Sequence, residues 1–336
     1  MPPKNKKSDW QYQESLMTHN NNSQSPPLSD QAWRNDRADK RFFEPTYSGA
    51  TSLLRCPYSV AFDTADIVVA GIPFDNATTY RPGCRLGPRA IRAASVQLAE
   101  LPSFPFGFDP FSRVGVIDSG DFLLNPHKPE TIISDIYEQA KSIISSGASL
   151  LSMGGDHFIS YPLLKAHAEL YGPISLLQFD AHCDTWPSMG EFDHGTMFLR
   201  AVEEGLIDTQ SSIQVGLRTH NELEVGIKQI TCPQFHEMGT KAVLEEILSH
   251  LKGRPVYVSF DIDVLDPAFA PGTGTPVSGG IASWQALTIM RGLAPLNMVG
   301  FDLVEVSPPF DHAEITAIAA ATIIHDWICV KAFQKG

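Results

Sequence analysis

The chain has 336 residues, 43% of them hydrophobic and 19% charged, which excludes disorder of the whole and suffices for one large domain or two modest ones. Its 25 Lys plus Arg against 38 Asp plus Glu leave a formal charge of -13, so no basic footprint marks it for nucleic acid or an anionic membrane surface. Five scattered cysteines, Cys56, Cys84, Cys183, Cys232 and Cys329, form neither a disulfide framework nor a CxxC pair, and a reducing compartment is expected.

In chain order, residues 1–46 are rich in Asn, Gln, Ser and Pro and read as a flexible polar arm, with Trp33 or Phe42 and Phe43 available to dock it. The start is basic but lacks the apolar stretch of a secretory signal. No uninterrupted apolar run reaches the roughly 18 residues of a membrane span; the nearest is broken by His325 and Asp326. A cytoplasmic location follows by elimination. From residue 47 onward short β-branched runs recur: DIVVAGI (66–72), RVGVIDS (113–119), ASLLSMG (148–154), ISLLQFD (174–180), SIQVGL (212–217), PVYVSFDID (255–263) and MVGFDLVEV (298–306). They read as strands buried on both faces. Helical segments alternate with them, among them PETIISDIYEQAKSIISS, TKAVLEEILSHLKG closed by Gly253, and SWQALTIMRGLA opened by Ser283. The alternation predicts an α/β domain with a mainly parallel sheet over 47–336.

Open parallel sheets bind ligands at the carboxyl ends of their strands. The run ASLLSMGGDH ends at Asp156 and His157, ISLLQFDAHCD ends with Asp180, His182 and Asp184, and PVYVSFDID ends with Asp261 and Asp263. Residues two apart in an extended chain share a face, so each group presents its acids together. A lone Asp after a strand reads as a loop cap, and a lone buried His as a hydrogen-bonded core residue. The joint pattern at three strand ends reads as metal ligands, because crowded carboxylates need cations to offset repulsion and desolvation. A mixed N/O set suits Mn, Fe, Ni, Co or Zn rather than Ca. Two such ions activating water is the chemistry expected.

The blocks MGGDHFIS, QFDAHCDT, FDHGTMF, SFDIDVLDPAFAPGTGTPVSGG and GFDLVEVSPP resemble those of the ureohydrolases, the arginase and agmatinase superfamily, over about residues 60–334. GGDHFISYPLLKAHA, EFDHGTMF, EEGLID and EITAIAAAT are most similar to the bacterial agmatinase branch. The resemblance implies a three-layer α/β/α sandwich with about eight strands. It implies two Mn2+ per subunit, with Ni2+ or another divalent ion as the alternative. One ion would be held by His157, Asp180, Asp184 and Asp261, the other by His182, Asp180, Asp261 and Asp263. It further implies Glu305 as the carboxylate that pairs with a guanidinium, His194 as the proton carrier for the leaving amine, and a trimer or hexamer. The implied reaction releases urea from a small guanidino compound, most directly agmatine, giving putrescine.

The substrate's far end is where the residues must choose. The loop from Thr185 to Leu199 contains Glu191 and Asp193 but no Lys or Arg, which suits a cationic tail. Arg81 or Arg85, if they reached in, would suit the acid tail of guanidinobutyrate or guanidinopropionate. Trp186 is bulkier than the pattern leads one to expect and would shorten the cavity toward free guanidine. Cys183, between His182 and Asp184, should turn its sulfur away from the ligand face. An inactive regulatory homologue is the non-enzyme alternative; the presence of every ligand position, His194 and Glu305 speaks against it.

Overall fold

A computed structural model describes residues 46–336 apart from 50, 100, 101, 103, 188, 189 and 191. The polar arm, except for Thr46, lies outside the described residues, as does Glu191. Strands β1 (Ile67–Ile72), β2 (Val116–Asp121), β3 (Ser149–Gly154), β4 (Ser175–Phe179), β5 (Ile213–Leu217), β6 (Lys228–Thr231), β7 (Pro255–Asp261) and β8 (Asn297–Val304) form one eight-stranded sheet. The order is β2-β1-β3-β8-β7-β4-β5-β6, and every pairing is parallel. Eight described helices follow: α1 (Gly87–Ser95), α2 (Ile132–Ile144), α3 (Ser160–Tyr171), α4 (Met197–Glu203), α5 (Cys232–Met238), α6 (Thr240–Leu251), α7 (Ser283–Gly292) and α8 (Ile315–Lys335).

Strand alternation builds the three layers. In β1, Ile67 and Val69 enter a core shared with α1, α5, α6, α7 and α8, while Val68, Ala70 and Ile72 face the core of α2, α3 and α4. Both faces are apolar, which is why these runs read as continuous rather than alternating. Several details differ from the sequence reading. The run 113–119 begins its strand only at Val116, because Arg113 closes a turn on Pro110 and lays its guanidinium 3.6 Å from the centre of the Phe108 ring. The four-residue β6, KQIT, escaped notice because an edge strand that carries Lys and Gln lacks the apolar signature of the central ones. The Ser283 cap is likewise replaced: Ala282 precedes α7, and its amide donates to Gln285.

Among the described residues α8 is long and apolar enough to cross a membrane by length and composition, but 72% of its apolar window is buried inside the fold. It also carries Asp326, bonded to Arg291 of α7 at 2.6 Å.

The strand order positions the site. β3, β8, β7 and β4 are consecutive neighbours at the centre of the sheet, and the residues that follow or end them are His157, Glu305, Asp261 with Asp263, and Asp180 through Asp184. Segments distant in sequence thus converge on one carboxyl edge.

Candidate active site

Each approach to this edge has a local cause. β3 exits through Gly154 and Gly155 directly beneath the segment after β1; a Cβ on Gly155 would stand 1.8 Å from the Phe74 carbonyl oxygen, so only glycine passes. Asp156 then accepts from the amides of Phe158 and Ala77, starting the turn that carries His157 and anchoring the loop after β1. Asp180 accepts from the His182 amide at 2.6 Å, and Asp261 from the Asp263 amide at 2.8 Å. Asp263 reaches across to the Ala181 amide at 3.1 Å, tying β7 to β4. Asp184 and Glu305 both adopt left-handed backbone, φ 51 and 64, a conformation non-glycine residues hold only when their surroundings impose it.

His157 Nδ1 lies 3.0, 2.9 and 3.2 Å from carboxylate oxygens of Asp180, Asp184 and Asp261. His182 Nδ1 lies 3.4 Å from Asp180 and 3.2 Å from Asp263. Two sets, His157–Asp180–Asp261 and Asp180–His182–Asp263, each bring one ligand atom per residue within 4.8 Å of the others, and Asp180 belongs to both. These residues fit a pair of divalent cations. His157 Nδ1 is buried among three carboxylates without the direction of a hydrogen bond to any, as a ligand converging on a common point would be. Its other nitrogen, Nε2, meets Ser259 Oγ at 2.7 Å, and Ser259 donates to Asp302, which also takes the hydroxyls of Tyr257 and Ser160. That chain fixes the tautomer that turns the Nδ1 lone pair toward the acids.

The electrostatics agree. Burial and the Asp180 charge push the Asp184 carboxyl up to about 7. Burial, with Asp263 and Asp180, pushes Asp261 well above the carboxylate range. Burial opposes the charged forms of His157, His182 and Asp180 as well, but there the opposite partners win: His157 is raised, His182 is pushed up to about 12, and Asp180 is held below its usual value. Left to themselves Asp184 and Asp261 are driven toward their protonated forms while the imidazoles stay charged, the response of a set that has more negative charge than its own cations can match.

Beside this cluster stands a second constellation. His194 is buried; its Nδ1 lies 2.8 Å from Glu305 Oε1, which also accepts from the His157 amide at 2.9 Å. Its Nε2 meets the amide and hydroxyl of Thr79 at 3.1 and 2.8 Å. Burial lowers the His194 pKa, but the Glu305 charge and hydrogen bond outweigh it and raise it to about 9; Glu305, opposed by burial, is held low by His194 in turn. Glu305 Oε2 is buried without a partner.

In front of both lies a cleft of about 310 Å³, walled by Thr79, His157, His182, Asp184, Trp186, Pro187, Asp193, His194, Gly195, Thr196, Asp261 and Thr275. Trp186 and Asp193 thus stand on the wall, whereas Arg81 and Arg85 do not. Arg81 packs its guanidinium on Tyr80 and Phe310, and Arg85 pairs with Asp75. The Cys183 sulfur is taken by the Asn221 amide at 3.3 Å, away from the cleft, as alternation requires. Sequence reasoning passed over Thr79, Ser259, Asp302 and Thr275. Only Ser259 carried a signal, standing two residues before Asp261 on the same face of β7.

The arginase-family model matches residues 65–329. An agmatinase from Chromobacterium violaceum is 53% identical over 295 residues, spanning 87% of this chain and 92% of that protein. A crystal structure of a hypothetical agmatinase from Burkholderia thailandensis superposes with a TM-score of 0.88 at 52% identity, covering 91% of this chain and 98% of the other. Proclavaminate amidino hydrolase from Streptomyces clavuligerus does so with 0.83 at 37% identity, covering 87% and 100%. With the family match running through all eight strands and the site's acids and imidazoles, the chain belongs to the arginase family.

Proposed function

We propose that this chain hydrolyses agmatine to putrescine and urea, using two divalent ions held by His157, Asp180, Asp184 and Asp261 on one side and by His182, Asp180, Asp261 and Asp263 on the other. Manganese is the ion assigned, with nickel the alternative. When bound, such a pair lowers the pKa of water toward about 7 and so supplies the nucleophile at neutral pH. The chain's own residues do the rest. Glu305 is the carboxylate reserved for the guanidinium: one oxygen is committed to His194 and His157, and the buried Oε2 has none. His194, kept basic by Glu305, holds the proton that the leaving amine requires.

One observation carries the choice of agmatine: the described cleft wall bears the Asp193 carboxylate and the Trp186 ring but no Lys or Arg. An ammonium tail finds an anion and an aromatic face there, while a carboxylate tail finds only repulsion. Arg81 and Arg85, the two candidates for an acid tail, are spent on aromatic and carboxylate partners. The identity to the Chromobacterium agmatinase supports the same substrate. A trimeric or hexameric, cytoplasmic enzyme completes the reading.

The test is urea release by the manganese-loaded protein offered agmatine, guanidinobutyrate, guanidinopropionate, arginine and guanidine at equal concentration, repeated with nickel. Turnover should be confined to agmatine, and Asp193→Asn should raise its KM about 10-fold with kcat little changed. Preference for an acid-tailed compound or for guanidine would sink the substrate assignment.

A further inference from the structure

Thr79 lies in the loop after β1, exposed on the cleft wall beside the largely buried His194 ring, which lines the same cleft. Its two contacts to His194 Nε2 are chemically different. The backbone N–H, 3.1 Å away, can only donate, so it favours a neutral imidazole with its lone pair at Nε2 and its proton at Nδ1, facing Glu305. The hydroxyl, 2.8 Å away, can donate to that lone pair or accept from a protonated Nε2. Since Nδ1 is committed to Glu305, Nε2 is the ring nitrogen left to exchange a proton, and on the cleft wall that both residues line it is bonded to the Thr79 hydroxyl.

We infer that Thr79 positions His194 in both protonation states and that its hydroxyl relays the proton from Nε2 to the leaving amine. This rests on the hydrolase reading above. As the C–N bond breaks, its electron pair goes to the amine nitrogen, which takes the Thr79 hydroxyl proton. The hydroxyl oxygen takes the Nε2 proton, and the imidazole is left neutral. Of the attacking water's two protons, one restores the imidazolium and the other passes from the oxygen to the released amine as the urea carbonyl forms, so water and guanidinium balance to urea and an alkylammonium with no further reactant.

The test compares Thr79→Val, which keeps the amide and shape but not the hydroxyl, with Thr79→Ser, which restores it. Kinetics are measured on the metal-loaded chain with whichever guanidino compound the wild type cleaves. The Thr79→Val kcat should fall about 10²-fold with KM within about 3-fold, a larger solvent deuterium isotope effect on kcat, and unchanged metal content. Thr79→Ser should recover kcat to within about 3-fold of wild type. A second readout needs no turnover: in full-length, zinc-loaded protein with 15N-labelled histidine, the His194 titration midpoint should drop by about one unit in Thr79→Val and not in Thr79→Ser. An unchanged midpoint, a Thr79→Val kcat within about 3-fold of wild type, or a Thr79→Ser variant as slow as Thr79→Val each overturns the inference. A wild type inert toward every compound defeats the hydrolase reading instead, and the midpoint still decides for Thr79.

Discussion

At the β2 edge of the sheet, Asp118 is wholly buried, yet it accepts from Arg92 Nε at 2.8 Å and Nη2 at 2.9 Å and from the amides of Leu53 and Gly120. Arg92, itself buried, also reaches Asp121 and the Gly120 carbonyl. At the sheet's centre Asp180, Asp184, Asp261 and Asp263 are nearly as buried but are met by two imidazoles, backbone amides, the Gln178 amide and the Thr275 hydroxyl rather than by a guanidinium. One acid cluster is closed by a guanidinium the chain supplies. The other keeps its donor atoms converging and its charge unmatched, which is what separates a structural ion pair from a site built for cations.

The comparison predicts opposite outcomes for similar substitutions. Asp261→Asn keeps an acceptor for the Asp263 amide but removes a carboxylate proposed as a shared ligand, so urea release should fall by about 10³-fold or more, with metal per chain falling in parallel by elemental analysis. The metal-free variant should nonetheless melt no lower than metal-free wild type, because without cations burial, Asp263 and Asp180 already drive the Asp261 carboxyl toward its neutral form, which the Asn amide replaces; a lower Tm would mean the cluster is held together by its acids. Arg92→Met strands Asp118 without its cation and should cost about 3–5 kcal/mol in denaturant unfolding, while the folded variant keeps wild-type metal content. Metal lost along with stability would show that the two clusters are one cooperative unit.

The same contrast explains what the sequence made legible. The candidate ligands stand two apart at strand ends, so D-x-H-x-D and D-x-D expose a shared face without any tertiary knowledge, and the strand order then needs only to bring β4 and β7 together. Asp118 and Arg92 are 26 residues apart with no spacing rule to connect them, and the arginines noticed in that stretch, Arg81 and Arg85, are not the ones that pair with Asp118. Thr79 is hidden for the same reason: 115 residues separate it from His194, and only the loop after β1, pinned by Asp156 to the exit of β3, closes the gap. Asp193 and Trp186 were visible because the loop that holds His194 also holds them.

A third way to bury a titratable group sharpens the picture. His167 on α3 donates Nδ1 to the Leu163 carbonyl, packs against Tyr257, and leaves Nε2 buried without a partner. Burial lowers its pKa to about 4, against a weaker opposing effect of the Leu163 bond. With the folded value depressed below the unfolded one of about 6.5, its contribution is intact above pH 6.5 and is lost as pH falls toward 4, amounting to about 3 kcal/mol in all. His325 on α8, lowered to about 4 by burial and the Arg291 charge, acts in the same direction. The difference in unfolding free energy between wild type and His167→Leu should therefore narrow by about 3 kcal/mol from pH 7 to pH 4. A constant difference would mean that His167 takes up its proton without unfolding.

The smallest effect lies between the two clusters in character. Asp302 is buried like Asp118 and closed like it, accepting the hydroxyls of Ser160, Tyr257 and Ser259, but through Ser259 it reaches His157 and so serves the cluster at the centre. Ser259 donates its only proton to Asp302, so its oxygen must accept from His157 Nε2, which leaves the Nδ1 lone pair free for a cation. In Asp302→Asn the amide can occupy the same volume, but an –NH2 placed at Oδ1 would oppose the Ser259 hydroxyl and release that constraint. Metal affinity should fall about 10- to 100-fold in equilibrium dialysis. The agmatine KM at saturating metal should stay near the wild-type value, since no atom of Asp302 faces the cleft. An affinity equal to wild type would make Asp302 a closed structural acid of the Asp118 kind, and the orientation of His157 would then rest on packing against Phe198, whose ring meets the imidazole edge-on at 5.2 Å.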